Sequence, residues 1–222
     1  MAHKTKLLNF PMDPDEAVSG YWRARASQSV HDTYRGLPLA KMPEDLRTYQ
    51  HIIWDTSPEV IVELGTFAGG SALWFLDQLK ALSTGDSPQV ITIDVDGVDI
   101  VELGTPGITH IMGDLRNPAM IALVKDMMRA DARTMVVEDS AHTYGVTKAA
   151  LEGYSEFVTP GCYFVVEDGI VEEQDVCPPG WYDPGSVKKA IDGFMDGNED
   201  FVQHSYAPYG LTMHHGGWLE RR

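Results

Sequence analysis

The chain has 222 residues, 43% of them apolar, enough to bury a full core as one unit without disulfides. A formal net charge of −16 repels a phosphate backbone and excludes nucleic acid as a natural partner. No apolar run approaches bilayer-spanning length and the first ten residues lack a signal-peptide core, so a soluble, cytoplasmic protein without a membrane partner is expected.

In chain order, Asp13 to Val30 reads as a helix with Pro14 in its first turn, the stretch Tyr34 to Leu39 as loop, and Pro43 to about Asp55 as a second helix. From there β-branched runs alternate with helical spacing. Strands are expected at Val60–Val62, Val90–Ile93, Ile108–Met112, Met135–Val137 and Tyr163–Val166. Helices are expected at Ser71–Leu82, Pro118–Met128, Val146–Phe157 and Ser186–Met195. Such alternation implies parallel βαβ units with helices on both faces of a sheet, and the unbroken apolar runs suit strands covered on both sides. Phe201–Tyr206 and Leu211–His215 flank Ala207-Pro208-Tyr209-Gly210 and read as a closing antiparallel hairpin. Residues 1–58 are taken as an N-terminal helical cap and 59–222 as the α/β unit. Of the two cysteines, Cys162 sits in an apolar run and reads as core, while Cys177 lies in a Pro-rich loop and is left open.

The turn Glu63-Leu64-Gly65-Thr66-Phe67-Ala68-Gly69-Gly70-Ser71 joins the first strand to its helix. Glycines there let backbone approach a ligand. Asp94 ends the next strand, suited to ribose hydroxyls, and Asp114 ends the third, facing an adenine amino group or capping the turn before Asn117. The ligand is NAD or S-adenosylmethionine. The pattern lacks the third glycine of a dinucleotide turn, and Glu63 opposes a pyrophosphate where it would tolerate a sulfonium and an amino group. Glu63, Gly65, Thr66, Gly70, Ser71, Asp94, Asp114 and Asp139 are therefore taken as the cofactor side.

Val136-Val137-Glu138-Asp139 recurs as Val165-Val166-Glu167-Asp168, each copy closing a parallel strand. Neighbouring strands lie about 4.8 Å apart, so these carboxylates would crowd one end of the sheet. Either some bind a proton or a cation sits among them, and an all-oxygen set suits magnesium. His142, three residues past Asp139, is the candidate general base.

With Glu63-Leu64-Gly65, Gly69-Gly70-Ser71, Asp139-x-x-His142 and Glu167-Asp168, the chain resembles the cephalosporin hydroxylase family, which includes macrolide-sugar O-methyltransferases. Leu39 to Asp45 is similar to that family's approach to its second helix, and the likeness runs from Gly36 to Leu219. The resemblance implies a Rossmann-like class I methyltransferase fold, a three-layer sandwich around a mostly parallel seven-stranded sheet whose last strand is antiparallel. It implies S-adenosylmethionine along the first strands, and magnesium held by Asp139, Glu167 and Asp168 with His142 as base. It also implies a small-molecule hydroxyl acceptor, a sugar or secondary metabolite, and a homo-oligomer. Glu138 departs from the pattern and leaves open whether it or Asp139 is the ligand.

The loop Val171 to Gly185, with Pro178, Pro179, Trp181 and Tyr182, reads either as a lid or substrate wall or as packed surface. Tyr21, Trp22 and Tyr34 are candidates to cover the pocket, and Trp218 reads equally as core or site. Two rival readings stand: a short-chain reductase, from Tyr144-x-x-x-Lys148, and a non-catalytic ligand-binding protein on the same fold.

Overall fold

The computed structural model describes Ala24, Arg25, Gln28 and residues 31–96, 104–172, 186–205 and 212–222. The helix expected from Asp13, all but the start of the loop after Val171, Cys177 and the turn at Ala207 lie largely or wholly outside these residues.

Alternation of apolar runs and helical spacing becomes the fold directly. Strands β3 (Val60–Leu64), β4 (Gln89–Asp94), β5 (Ile108–Met112), β6 (Thr134–Glu138) and β7 (Tyr163–Val166) pair in parallel. Helices α1 (Pro43–Thr56), α2 (Gly70–Leu82), α3 (Pro118–Met127), α4 (Tyr144–Tyr154) and α5 (Ser186–Met195) cover them. Strands β8 (Phe201–His204) and β9 (Trp218–Arg221) complete a seven-stranded sheet of order β5-β4-β3-β6-β7-β9-β8, with β9 antiparallel to both neighbours. Among the described residues, no helix is long and apolar enough to cross a membrane.

The sheet divides the core in two. One face carries Val62, Leu64, Ile93, Val136 and Phe164 against Val124 of α3, Leu151 of α4 and Ile191 of α5. The other carries Ile61, Val90, Val137 and Val165 against Tyr49, Ile52 and Ile53 of α1 and Leu73, Phe75 and Leu76 of α2. Helices on both faces satisfy strands that are apolar throughout. Cys162 is a fully buried core residue, and so is Trp218, whose indole N–H donates to Thr212 Oγ1 at 3.1 Å.

Two local expectations are corrected. The stretch expected as loop at Tyr34–Leu39 holds a miniature hairpin, β1 (Thr33–Tyr34) with β2 (Leu37–Pro38), turning through Arg35 and Gly36, both at positive φ as a two-residue hairpin turn requires. The second strand of the closing hairpin is Trp218–Arg221, not Leu211–His215. Thr212, Met213 and His214 instead tuck beneath the sheet end. There Thr212 Oγ1 and the Met213 N–H donate to buried Asp45 at 2.5 and 3.0 Å. A buried carboxylate needs those donors more than the sheet edge needs two more rungs.

Register decides where the acids point. β6 and β7 align Val136 with Phe164, Val137 with Val165 and Glu138 with Val166. The two Val-Val-Glu-Asp copies are therefore staggered by one residue. Side chains alternate along a strand, so Glu138 belongs to the face of Val136, while Asp139 and Glu167 continue the opposite row of Val137 and Val165.

Candidate active site

At the carboxyl ends of β3, β4 and β6 lies a cavity of about 480 Å³, lined by Gly65, Phe67, Asp94, Asp114, Asp139 and Ser140 among others. This is the crevice that an open parallel sheet offers where its strand order reverses. Its glycine turn is tied down on three sides. Gly65, at φ +107, lies so close to β6 that a Cβ there would stand 2.0 Å from the Asp139 carbonyl oxygen. Asp94 Oδ2 accepts the Thr66 and Phe67 N–H groups, both at 2.9 Å. Gly70 abuts β2, where a Cβ would meet the Pro38 carbonyl oxygen at 2.1 Å. Gly70, expected at the cofactor, packs against β2 and is not among the residues lining the cavity.

The other cofactor-side residues divide similarly. Asp94 and Asp114 line the cavity. Asp94 also splints the glycine turn, and Asp114 is clamped by Arg116, whose hydrogen bonds hold its carboxyl at about 2. Thr66 turns its hydroxyl inward to Thr92 Oγ1 at 2.7 Å, and Thr92 donates to Glu63 Oε2 at 2.6 Å. Glu63 is fully buried beneath the turn beside buried Ser71, and its Oε1 has no hydrogen-bond partner. Burial pushes Glu63 up to about 7 despite Lys41 and the Ser71 and Thr92 hydroxyls. The cavity itself is lined by Asp94, Asp96, Asp114 and Asp139, an acidic wall that fits a ligand with a cationic end.

On the far side of Asp139 stands the acid cluster. Asp139, His142 and Asp168 are brought together: His142 Nε2 lies 3.7 Å from Asp139 Oδ1 and 3.5 Å from Asp168 Oδ2. His142 and Asp168 both sit at positive φ, 49° and 61°, uncommon for residues with side chains. Such backbone persists where the surroundings enforce it, and it clusters at functional sites. Burial raises Asp168 to about 7, with Asp139 and Glu167 adding to the rise against the pull of His142. Burial works against a proton on His142, but the Asp168 and Asp139 carboxylates outweigh it and raise its pKa.

Glu138 takes no part in this cluster. It is fully buried on the other face, accepts hydrogen bonds from the Ser140 hydroxyl and N–H, and receives the Thr147 hydroxyl at 3.3 Å. Its role is to brace the loop that carries His142. We expect Glu138→Gln to leave the magnesium titration of the protein unchanged in calorimetry. A weakened titration would return Glu138 to the ligand set.

Tyr34, considered as a pocket cover, donates its hydroxyl to Asp77 of α2 at 3.0 Å and is not among the residues lining the cavity. The reductase pattern is dispersed: Lys148 pairs with Glu152 at 2.5 Å, and the Tyr144 ring lies under Lys189.

A family model described as rhamnosyl O-methyltransferase/CmcI matches residues 26–222. The chain belongs to this family. A rhamnosyl O-methyltransferase of Mycobacterium leprae (strain TN) is 24% identical over 192 residues, covering 86% of this chain and 83% of that protein. An apo structure of CmcI superposes with a TM-score of 0.62 at 26% identity, covering 86% of this chain and 76% of CmcI. A CmcI structure with Mg and SAM gives a TM-score of 0.60 at 26% identity, covering 87% and 77%.

In this rhamnosyl O-methyltransferase/CmcI family member the acids are held by residues from outside the acidic strand ends. Lys41 is buried, with its ammonium 2.7 Å from Asp139 Oδ2 and 2.6 Å from Glu167 Oε1. Tyr49 of α1 donates to the same Glu167 oxygen at 2.6 Å. His214, packed against the rings of Tyr49 and Trp218, accepts the Asp168 N–H at Nδ1, 3.1 Å away. Burial holds His214 at about 4, so the ring is neutral and carries its proton on Nε2. That nitrogen lies 3.7 Å from Glu167 Oε2 and has no lone pair for a metal, although its position beside Glu167 and Asp168 would otherwise suit one. Nothing periodic marks Lys41, Tyr49 or His214. Only the likeness of Leu39–Asp45 to the family touched one of them.

Four carboxyls, Glu63, Asp139, Glu167 and Asp168, thus crowd around the single charge of Lys41. Ligand atoms of Asp139, His142 and Asp168 lie within 4.8 Å of one another. An oxygen-rich set with surplus negative charge fits a hard divalent ion.

Proposed function

We propose that this chain transfers a methyl group from S-adenosylmethionine to a hydroxyl of a sugar-type small molecule, with magnesium held by Asp139, Glu167 and Asp168. The observation that carries this reading is the double membership of Asp139. Its backbone packs against Gly65 at the cavity it lines, and its carboxylate belongs to the acid cluster, so donor cavity and metal ligands share one residue. The family and the CmcI structure with Mg and SAM support the same pairing of cofactors.

Each residue has a task in this reading. Gly65, Phe67 and Asp94 shape the donor cavity, while Glu63, buried beneath the turn, braces it through Thr92 and Thr66. Asp139, Glu167 and Asp168 would hold magnesium, whose Lewis acidity would make an acceptor hydroxyl easier to deprotonate. His142, set between Asp139 and Asp168, takes the hydroxyl proton at Nε2. The neutral ring contributes about 10²–10⁴-fold by the usual measure of a positioned base. Orienting the acceptor oxygen toward the sulfonium methyl supplies much of the remaining acceleration.

The test is a methyl-transfer assay on rhamnose-bearing acceptors with labelled S-adenosylmethionine, beside calorimetry with S-adenosylhomocysteine and magnesium. Transfer that stops with EDTA and returns with magnesium is expected. Transfer indifferent to EDTA would remove the metal, and failure to bind S-adenosylhomocysteine would remove the donor.

A further inference from the structure

We propose that Lys41 is a positioning residue, a resident cation whose ammonium takes one oxygen from Asp139 and one from Glu167, holds both carboxylates together in the metal-free fold and tempers the affinity of the cluster for a divalent ion. The inference rests on the metal reading above and assigns to that site a component outside its acidic ligands.

The argument starts from cost. An ammonium removed from water is penalised by several kcal/mol unless its partners are close and well aimed. Lys41 has a side chain 1% exposed and two carboxylate oxygens within 2.7 Å. Its partners lie 98 and 126 residues away, so only the folded chain assembles the triad. The delivery of the side chain is also built in. Ala40 adopts φ +49, a left-handed conformation unfavourable for alanine, and turns the chain inward just before α1. The preceding strand β2 is wedged against Gly70, which fixes the height of that turn. The ammonium also lies 5.9 Å from the centre of the Phe75 ring.

Geometry divides the oxygens. Lys41 and Tyr49 converge on Glu167 Oε1, and Lys41 alone takes Asp139 Oδ2. The other oxygen of each carboxylate, Asp139 Oδ1 and Glu167 Oε2, turns toward His142 and His214 respectively. Lys41 is not a proton acceptor, because Asp139 and Glu167 outweigh the effect of burial and hold its pKa above the ordinary lysine range. Its effect is to balance part of the cluster charge, so that the metal-free protein folds with its ligands already placed. The same charge repels a divalent ion and tempers its affinity.

The experiment compares wild type and Lys41→Met by thermal unfolding in EDTA and in magnesium, with magnesium calorimetry on both. We expect Tm in EDTA to fall by about 10 °C in the variant, since unpaired buried carboxylates remain. Magnesium should recover about half of that loss or more, while its Kd tightens about tenfold as a like charge disappears. A residue that merely packs would lower Tm equally in both buffers and leave Kd unchanged, and that result overturns the inference. If Lys41→Met does not fold in either buffer, Lys41→Met with Glu167→Gln carries the test. Recovery of a folded protein supports charge balance, and continued failure overturns it. Wild type that ignores magnesium would instead sink the metal reading, a separate outcome visible in the same titration.

Discussion

His142→Ala is expected to bind S-adenosylhomocysteine and magnesium like wild type while kcat falls about 10²–10⁴-fold. The expectation separates two roles that the geometry holds close together. His142 Nε2 stands 3.5 and 3.7 Å from carboxylate oxygens of Asp168 and Asp139, near enough to be a third ligand and near enough to reach a hydroxyl beside the ion. As base, its loss removes a proton acceptor and leaves the ion with its oxygens. As ligand, its loss would weaken the magnesium titration in parallel with turnover. The carboxylates that raise its pKa in the metal-free protein would have their charge answered by a divalent ion, which favours the neutral, proton-accepting ring. Parallel loss of magnesium affinity and kcat would retire the base assignment.

Gly65→Ala is expected to lose S-adenosylhomocysteine binding altogether and to lower stability to denaturant by about 2–5 kcal/mol. The estimate combines a backbone that L-residues avoid with overpacking against fixed atoms. A Cβ at Gly65 would meet Asp139 O at 2.0 Å and Ser140 Cα at 2.9 Å, all of it main chain that cannot rotate aside. The residue is therefore a fixed contact between both halves of the site: moving β6 away from it would shift Asp139 and, through the loop, His142. Wild-type affinity in this variant would mean that the turn is not the donor wall.

Much of the architecture was legible because burial on both faces writes itself as unbroken apolar runs. Ile108–Met112, Tyr163–Val166 and Ser186–Met195 fall where spacing alone puts them. The candidate site was legible where chemistry lies at strand ends: Asp94 lines the cavity, and Asp139, Glu167 and Asp168 come together around Lys41 and His142. The stagger between β6 and β7 was not, since register depends on a partner strand 28 residues away (Val136 to Phe164) and no local signal sets it. That single step sends Glu138 to one face and Glu167 to the other. Lys41, Asp45, Tyr49 and His214 escaped for the same reason: each reads locally as an ordinary residue of a loop, a helix or a chain end. The expected strand at Leu211–His215 misled because Thr212 and Met213 donate to a buried carboxylate instead of to a strand partner.

The glycine turn is anchored to β6 at Gly65, to β4 through Asp94 and to β2 at Gly70, which makes it the stator of the cavity. A donor molecule cannot be admitted or released by that wall giving way. The cavity is open instead through exposed side chains of its lining, among them Val95 and Arg116. Val95 is 62% exposed and the Arg116 side chain 57% exposed. The cavity thus pairs a wall fixed by main-chain contacts with a mouth of exposed side chains.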